Sequence, residues 1–147
     1  MNIKFDAKSI NESVARMTIA AFMMHMNPTV DELEDVKTAV SEAVTNAIIH
    51  GYGLEEETDG LAEARQVEVI CAREGVKLEV TVIDYGVGIE NIEEAKQPFF
   101  TTKPDMERSG MGFVFMETFM DSLEVQSKRG EGTKVIMTKY ISGDSGQ

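Results

Sequence analysis

A chain of 147 residues with 42% hydrophobic and 27% charged side chains has the balance of one globular domain, which excludes a disordered or fibrous protein. Its formal charge of −12 disfavours nucleic acid or an anionic membrane as a direct partner, because phosphate-rich surfaces need a basic field. One cysteine, Cys71, forbids an intramolecular disulfide, no apolar run approaches the ~18 residues of a membrane span, and Met-Asn-Ile-Lys-Phe lacks the apolar core of a leader, so a cytoplasmic location is expected.

Ile3 and Phe5 alternate with Asn2, Lys4 and Asp6, the pattern of a short edge strand. Ser9-x-x-Glu12 predicts a capping box that opens a helix. Along this helix Ile10, Val14, Met17, Ala21 and Met24 form one apolar stripe, and Ile19, Phe22, Met23 and Met26 add a second apolar face. Such a helix is either sandwiched inside the fold or docked on a partner, with methionine as flexible core filler the plainer explanation. Asn27-Pro28 ends it, and Thr29-x-x-Glu32 predicts another capping box. Leu33, Val36, Val40, Ala43 and Ala47 give the next stripe, with Gly51 and Gly53 expected as C-caps. From Leu54 to Ala64 the chain is acidic and aperiodic, a solvated loop without catalytic content.

A hairpin follows: Val67, Val69 and Cys71, a Glu74-Gly75 turn, then Leu78, Val80 and Val82 running into Asp84-Tyr85-Gly86-Val87-Gly88. A short helical stretch around Ile92–Lys96 precedes a segment too proline-punctuated for a regular element, Pro98 to Pro104. Ser109-Gly110-Met111-Gly112 then leads into an apolar helix from Phe113 to about Met120. Leu123–Ser127 and Thr133–Tyr140 close the chain as a second hairpin. This order predicts a single domain over 1–147, an α/β two-layer sandwich with one mixed, mostly antiparallel sheet and helices on one face.

Glu42, Asn46 and His50 stand at i, i+4 and i+8, off the apolar stripe. A carboxylate and an amide one turn apart could bind a hydrated divalent cation, or pair a base with a metal ligand. The plainer alternatives are a solvated helix side and a histidine completing the helix dipole. Asp84-x-Gly86-x-Gly88 after an apolar strand allows close backbone approach to a ligand, or makes a tight turn. Gly110-x-Gly112 before a helix offers amide groups and a positive dipole end to phosphate. The P-loop pattern GxxxxGK[ST] and the HRD and DFG signatures of protein kinases are absent from the chain.

These motifs, with Gly132-Thr133, occur in order from Glu42 onward and together resemble the N, G1 and G2 boxes of the GHKL ATP-binding superfamily of gyrase, MutL and histidine-kinase catalytic domains. Ser41 to Tyr52, Gln97 to Pro104, Glu107 to Phe113 and Asn11 to Arg16 are similar to the sporulation branch of the anti-sigma-factor serine kinases. The acidic loop from Gly53 to Arg65 is longer than expected there, which bears on surface recognition more than on catalysis.

The resemblance implies a Bergerat-type fold using ATP and Mg²⁺. Asn46 would coordinate Mg²⁺, Asp84 would accept from the adenine amino group, and Gly86 and Gly88 would keep that edge open. Thr101, Thr102, Lys103, Arg108, Ser109, Gly110, Met111 and Gly112 would belong to the lid and phosphate cradle, and Thr133 would bring a hydroxyl near the nucleotide. Glu42 is the implied general base toward an attacking hydroxyl. The implied partners are a sigma factor of the sigma F type, a STAS-type anti-anti-sigma protein as phosphorylation substrate, and a second copy in a homodimer, with Arg16 at the partner surface. Alternatives stay open: a general-stress kinase of the sigma B type, or a GHKL ATPase or binding module without protein-kinase activity. Water as the attacking group would make an ATPase, but the ATPases of the superfamily carry transducer domains and this chain supplies none. The intact Glu42, Asn46, Asp84 and glycine set argues against a purely binding role.

Overall fold

The alternation at the start of the chain forms an edge strand. In the computed structural model, which describes residues 1–52, 65–88, 96 and 112–142, β1 (Asn2–Asp6) packs Ile3 and Phe5 against the core. It pairs with β2 (Gln66–Glu74), followed by β3 (Lys77–Asp84), while β4 (Ser122–Lys128) and β5 (Gly132–Tyr140) form the closing hairpin. The strand order is β1-β2-β3-β5-β4. Every pairing among the described strands is antiparallel, so the parallel component of a mixed sheet is not found there. With β4 outermost, β5 comes back beside β3 running against it.

Three helices cover one face of this sheet: α1 (Asn11–Met23), extended by a 3₁₀ turn at Met24–Met26, α2 (Val30–Asn46) and α3 (Gly112–Phe119). Val69, Val80, Val82 and Met137 rise from the sheet to meet Ile19, Val40, Val44 and Met116, all buried in one continuous core. Each such side chain contributes about 1.5–3 kcal/mol, and a one-residue slip of any strand would turn its apolar set into water, so burial sets the register.

The two apolar faces of α1 have opposite fates. Ile19, Met23 and Met26 are fully buried with Phe22 packed against them, whereas Ile10, Val14, Met17 and Met24 are 75%, 50%, 64% and 54% exposed. Methionine as core filler therefore holds for one face and fails for the other.

The two capping boxes also diverge. Thr29 and Glu32 exchange the expected pair of bonds, Glu32 N–H to Thr29 Oγ1 at 3.1 Å and Thr29 N–H to the Glu32 carboxylate at 2.9 Å. The Ser9 box does not form. The chain is already turned before α1, with Asn11 N–H bonded to Lys8 O and Glu12 N–H to Ser9 O, and the N-cap Ile10 is helical rather than extended. Glu12 is thereby released to accept from Ser41 Oγ on α2.

Candidate functional site

Gly51 does not cap α2 as expected, and Gly53 lies outside the described residues. Ala47–Gly51 instead form one π turn, closed by Tyr52 N–H on Ala47 O at 3.2 Å, and Tyr52 keeps a right-handed backbone with φ −103. Single π turns of this kind widen a helix at functional positions. Gly51 is needed for space: a Cβ there would stand 2.6 Å from Asp84 Cγ and 2.7 and 2.8 Å from its oxygens.

Asp84 thus ends β3 directly against the π turn, 5% exposed. Its Oδ1 accepts from Gly86 N–H at 3.0 Å, and the backbone N–H of Thr133 also serves the carboxylate. Burial outweighs these bonds and pushes its pKa up to about 6. A carboxylate held out of water with spare lone pairs is a strong, selective acceptor for a ligand N–H.

The loop after Asp84 is wedged between backbones. A Cβ on Gly86 would meet Gly51 O at 1.8 Å, and one on Gly88, at φ +78, would meet Lys128 O at 2.3 Å. Val87 N–H donates to Gly51 O at 2.8 Å and Gly130 N–H to Val87 O at 2.7 Å. The space a side chain would need at Gly86 and Gly88 is therefore taken by neighbouring backbone. Close packing against the π turn and the β4–β5 turn is what excludes side chains here.

Asn46, the last residue of α2, faces Gly112 at the start of α3, where a Cβ would lie 2.8 Å from Asn46 Nδ2. Its Oδ1 is buried and has no hydrogen-bond partner among the described residues. An orphaned amide oxygen fits a hard cation such as Mg²⁺. No cluster of three or more His, Cys, Asp or Glu occurs among the described residues. Glu42 stands one turn earlier on α2, half-buried.

Thr133 pairs with Asp84 in the β3–β5 register and is 8% exposed. Its Oγ1 lies 2.8 Å from Ser127 Oγ, which donates to Gly132 O at 3.0 Å, so the Thr133 hydroxyl is the donor of the pair. Arg16 belongs to a different surface, on α1, with its Nε 3.7 Å from Glu12 and otherwise unbonded among the described residues. Thr101, Thr102, Lys103, Arg108, Ser109, Gly110 and Met111 lie outside the described residues, as do 53–64 and all of the Ile92–Lys96 stretch except Lys96.

The structure adds residues that sequence reasoning passed over: Gly51 as a spacer, Ser127 behind Thr133, and Tyr52 and Tyr85 beside the loop. Only Gly51 carried a signal, and it was the signal of a helix end. A cavity of about 710 Å³ opens beside Tyr52 and Tyr85, lined also by Lys4, Gln66, Glu68 and Gly86; neither Asp84 nor Asn46 lines it.

Comparison with known proteins identifies the family and the fold. Residues 5–139 match the family described as Histidine kinase-like ATPase domain. Proteins named anti-sigma F factor from Clostridium perfringens and Clostridium acetobutylicum are each 55% identical to this chain over 97% of its length and over 96% and 94% of theirs. One from Anoxybacillus flavithermus is 53% identical over 97% of this chain and 92% of its own. Among solved structures, the RsbU and RsbW domains of a Mycobacterium tuberculosis protein superpose with a TM-score of 0.60 at 18% identity, covering 96% of this chain but 31% of that one, a likeness of fold.

Proposed function

The chain belongs to the histidine kinase-like ATPase family, among relatives named anti-sigma F factors, and we propose that it holds a sigma factor of the sigma F type and phosphorylates a serine of that factor's antagonist with ATP. The observation that carries the catalytic half is a pair of contacts at the end of α2 and its π turn: Gly51 leaves room for the buried Asp84 carboxylate, and the orphaned amide of Asn46, five residues earlier, stands against Gly112. Asp84 accepts from the adenine amino group, a choice that excludes guanine, whose corresponding position is a carbonyl. Asn46 holds Mg²⁺, which supplies charge neutralisation for the phosphates. Lys103, Arg108 and the Ser109–Gly112 backbone serve the phosphates, and Thr133 offers its hydroxyl near the nucleotide. Glu42 takes the proton of the substrate serine as its oxygen bonds to the γ-phosphorus and the bond to the bridging oxygen breaks, releasing ADP.

The exposed apolar stripe on α1 supports the partner half. Ile10, Val14, Met17 and Met24 lie in water next to Arg16, whose stem can cover apolar surface while its guanidinium meets acidic groups. Sigma factor and unphosphorylated antagonist compete for this surface of a homodimer, and phosphorylation releases the antagonist.

Incubation with labelled ATP, Mg²⁺ and a STAS-type antagonist tests the reaction, and phosphoserine on the antagonist is the expected product. Free phosphate without phosphoserine would make the protein an ATPase instead. Light scattering tests the homodimer, and pull-down with sigma factors of the sigma F and sigma B types decides between the two partners.

A further inference from the structure

We infer that Tyr52 is a positioning residue for the Asp84 loop, fixing through its hydroxyl the segment that reads the base. The inference rests on the adenine-reading role proposed for Asp84. Tyr52 Oη accepts from the N–H of Tyr85, the amide directly after Asp84, at 2.9 Å, and donates to Gln66 O at 2.6 Å. One hydroxyl therefore ties the loop to the first residue of β2, a strand of the rigid sheet.

The π turn makes this reach possible. Its N–H bonds five residues back to Ala47 O, so Tyr52 follows a widened turn, and its hydroxyl reaches the amide after Asp84. Its ring is held in turn, since the Arg65 guanidinium lies 6.0 Å from the ring centroid and donates to Tyr52 O at 3.1 Å. Burial raises the phenol above its ordinary range, so the proton given to Gln66 O stays in place at neutral pH. The neighbouring tie is separate: Tyr85 Oη donates to Glu68 Oε1 at 2.9 Å, and Asn2 Nδ2 donates to Glu68 Oε2 at 2.7 Å. That tie holds the Tyr85 side chain, whereas Tyr52 holds the backbone next to Asp84.

Tyr52→Phe keeps the ring and its Arg65 contact and removes only the oxygen. The affinity for ATP, read by fluorescence titration, should fall about 2- to 10-fold, the range for one lost hydrogen bond. The preference for ATP over GTP should shrink with it, while kcat at saturating ATP holds. A merely structural tyrosine would lower the melting temperature and leave the ATP-to-GTP ratio at its wild-type value, which would overturn the inference. Tyr85→Phe retains the amide that Tyr52 accepts from, so its ratio should stay near wild type; a loss as large as that of Tyr52→Phe would also overturn it. Asp84→Asn separates the two levels. If Asp84→Asn loses the preference and Tyr52→Phe does not, the positioning role alone falls; if Asp84→Asn keeps it, the adenine-reading role has failed first.

Discussion

The outer face of α1 and the junction of α2 with β3 break the ordinary rule of burial in opposite directions. On α1, four large apolar side chains stand half or more in water. At the junction, a carboxylate and an amide oxygen are shut away from it, one with a raised pKa and the other without a partner. Apolar surface turned outward marks a place for another macromolecule, and polar atoms turned inward mark a place for a ligand that completes their bonding. The fold keeps these two departures in separate elements, so each can be altered without the other.

The sharpest break is expected at the junction. Glu42→Gln preserves size and hydrogen bonding but not basicity, so phosphotransfer should fall ~10²–10⁴-fold while nucleotide binding persists. Unchanged incorporation of labelled phosphate would remove Glu42 from the role of base.

The two faces of α1 can be set against each other directly. Ile19→Ala deletes a buried side chain and should cost about 2–5 kcal/mol in a denaturant titration. Met17→Ala, two residues away on the outer face, should stay within about 0.5 kcal/mol. Equal costs would mean that the outer stripe is packed in solution.

At the nucleotide, Asp84→Asn should weaken ATP about 10- to 100-fold, the worth of a hydrogen bond to a charged acceptor. The pH dependence has a definite sign. Because burial raises the Asp84 pKa to about 6, its contribution to the stability of the nucleotide-free protein is full below the ordinary carboxylate range and is lost as pH rises through 6. ATP affinity should move the other way, rising from pH 5 to 7 as the acceptor ionises. The Asn variant should show a flat profile, and a wild-type profile without a step near 6 would sink the assignment.

The smallest effect on stability belongs to Arg16→Ala. Its half-buried i, i+4 pair with Glu12 contributes about 0.3–0.5 kcal/mol, so the melt should barely move while capture of the sigma factor or its antagonist weakens. A variant that melts early yet captures both would make Arg16 structural.

Much of this was legible locally. Strand alternation placed β1, β3, β4 and β5 within a residue or two and β2 within three, because each strand has one wet and one dry face and the period of two is written in the side chains. The Thr29 box could be read for the same reason, as its bonds close within four residues. Gly51 was misread because a glycine after a helix looks the same whether it caps the helix or clears room for a carboxylate that arrives 33 positions later. Ser9 was misread because its capping bond competes with backbone turns set by the strand before it.

By itself the sequence determined which residues could bury a helix face, where strands would alternate, and which spaced Glu, Asn, Asp and Gly could serve phosphate and base. Only the tertiary structure decided which of the two apolar faces of α1 goes inward, since periodicity specifies an angle around a helix axis but not what lies across from it. It also decided that Asp84 would be buried, that Asn46 Oδ1 would have no partner among the described residues, and that Tyr52 would hold the backbone after Asp84. Those properties depend on distances between segments far apart in the chain, which packing sets and no local pattern contains.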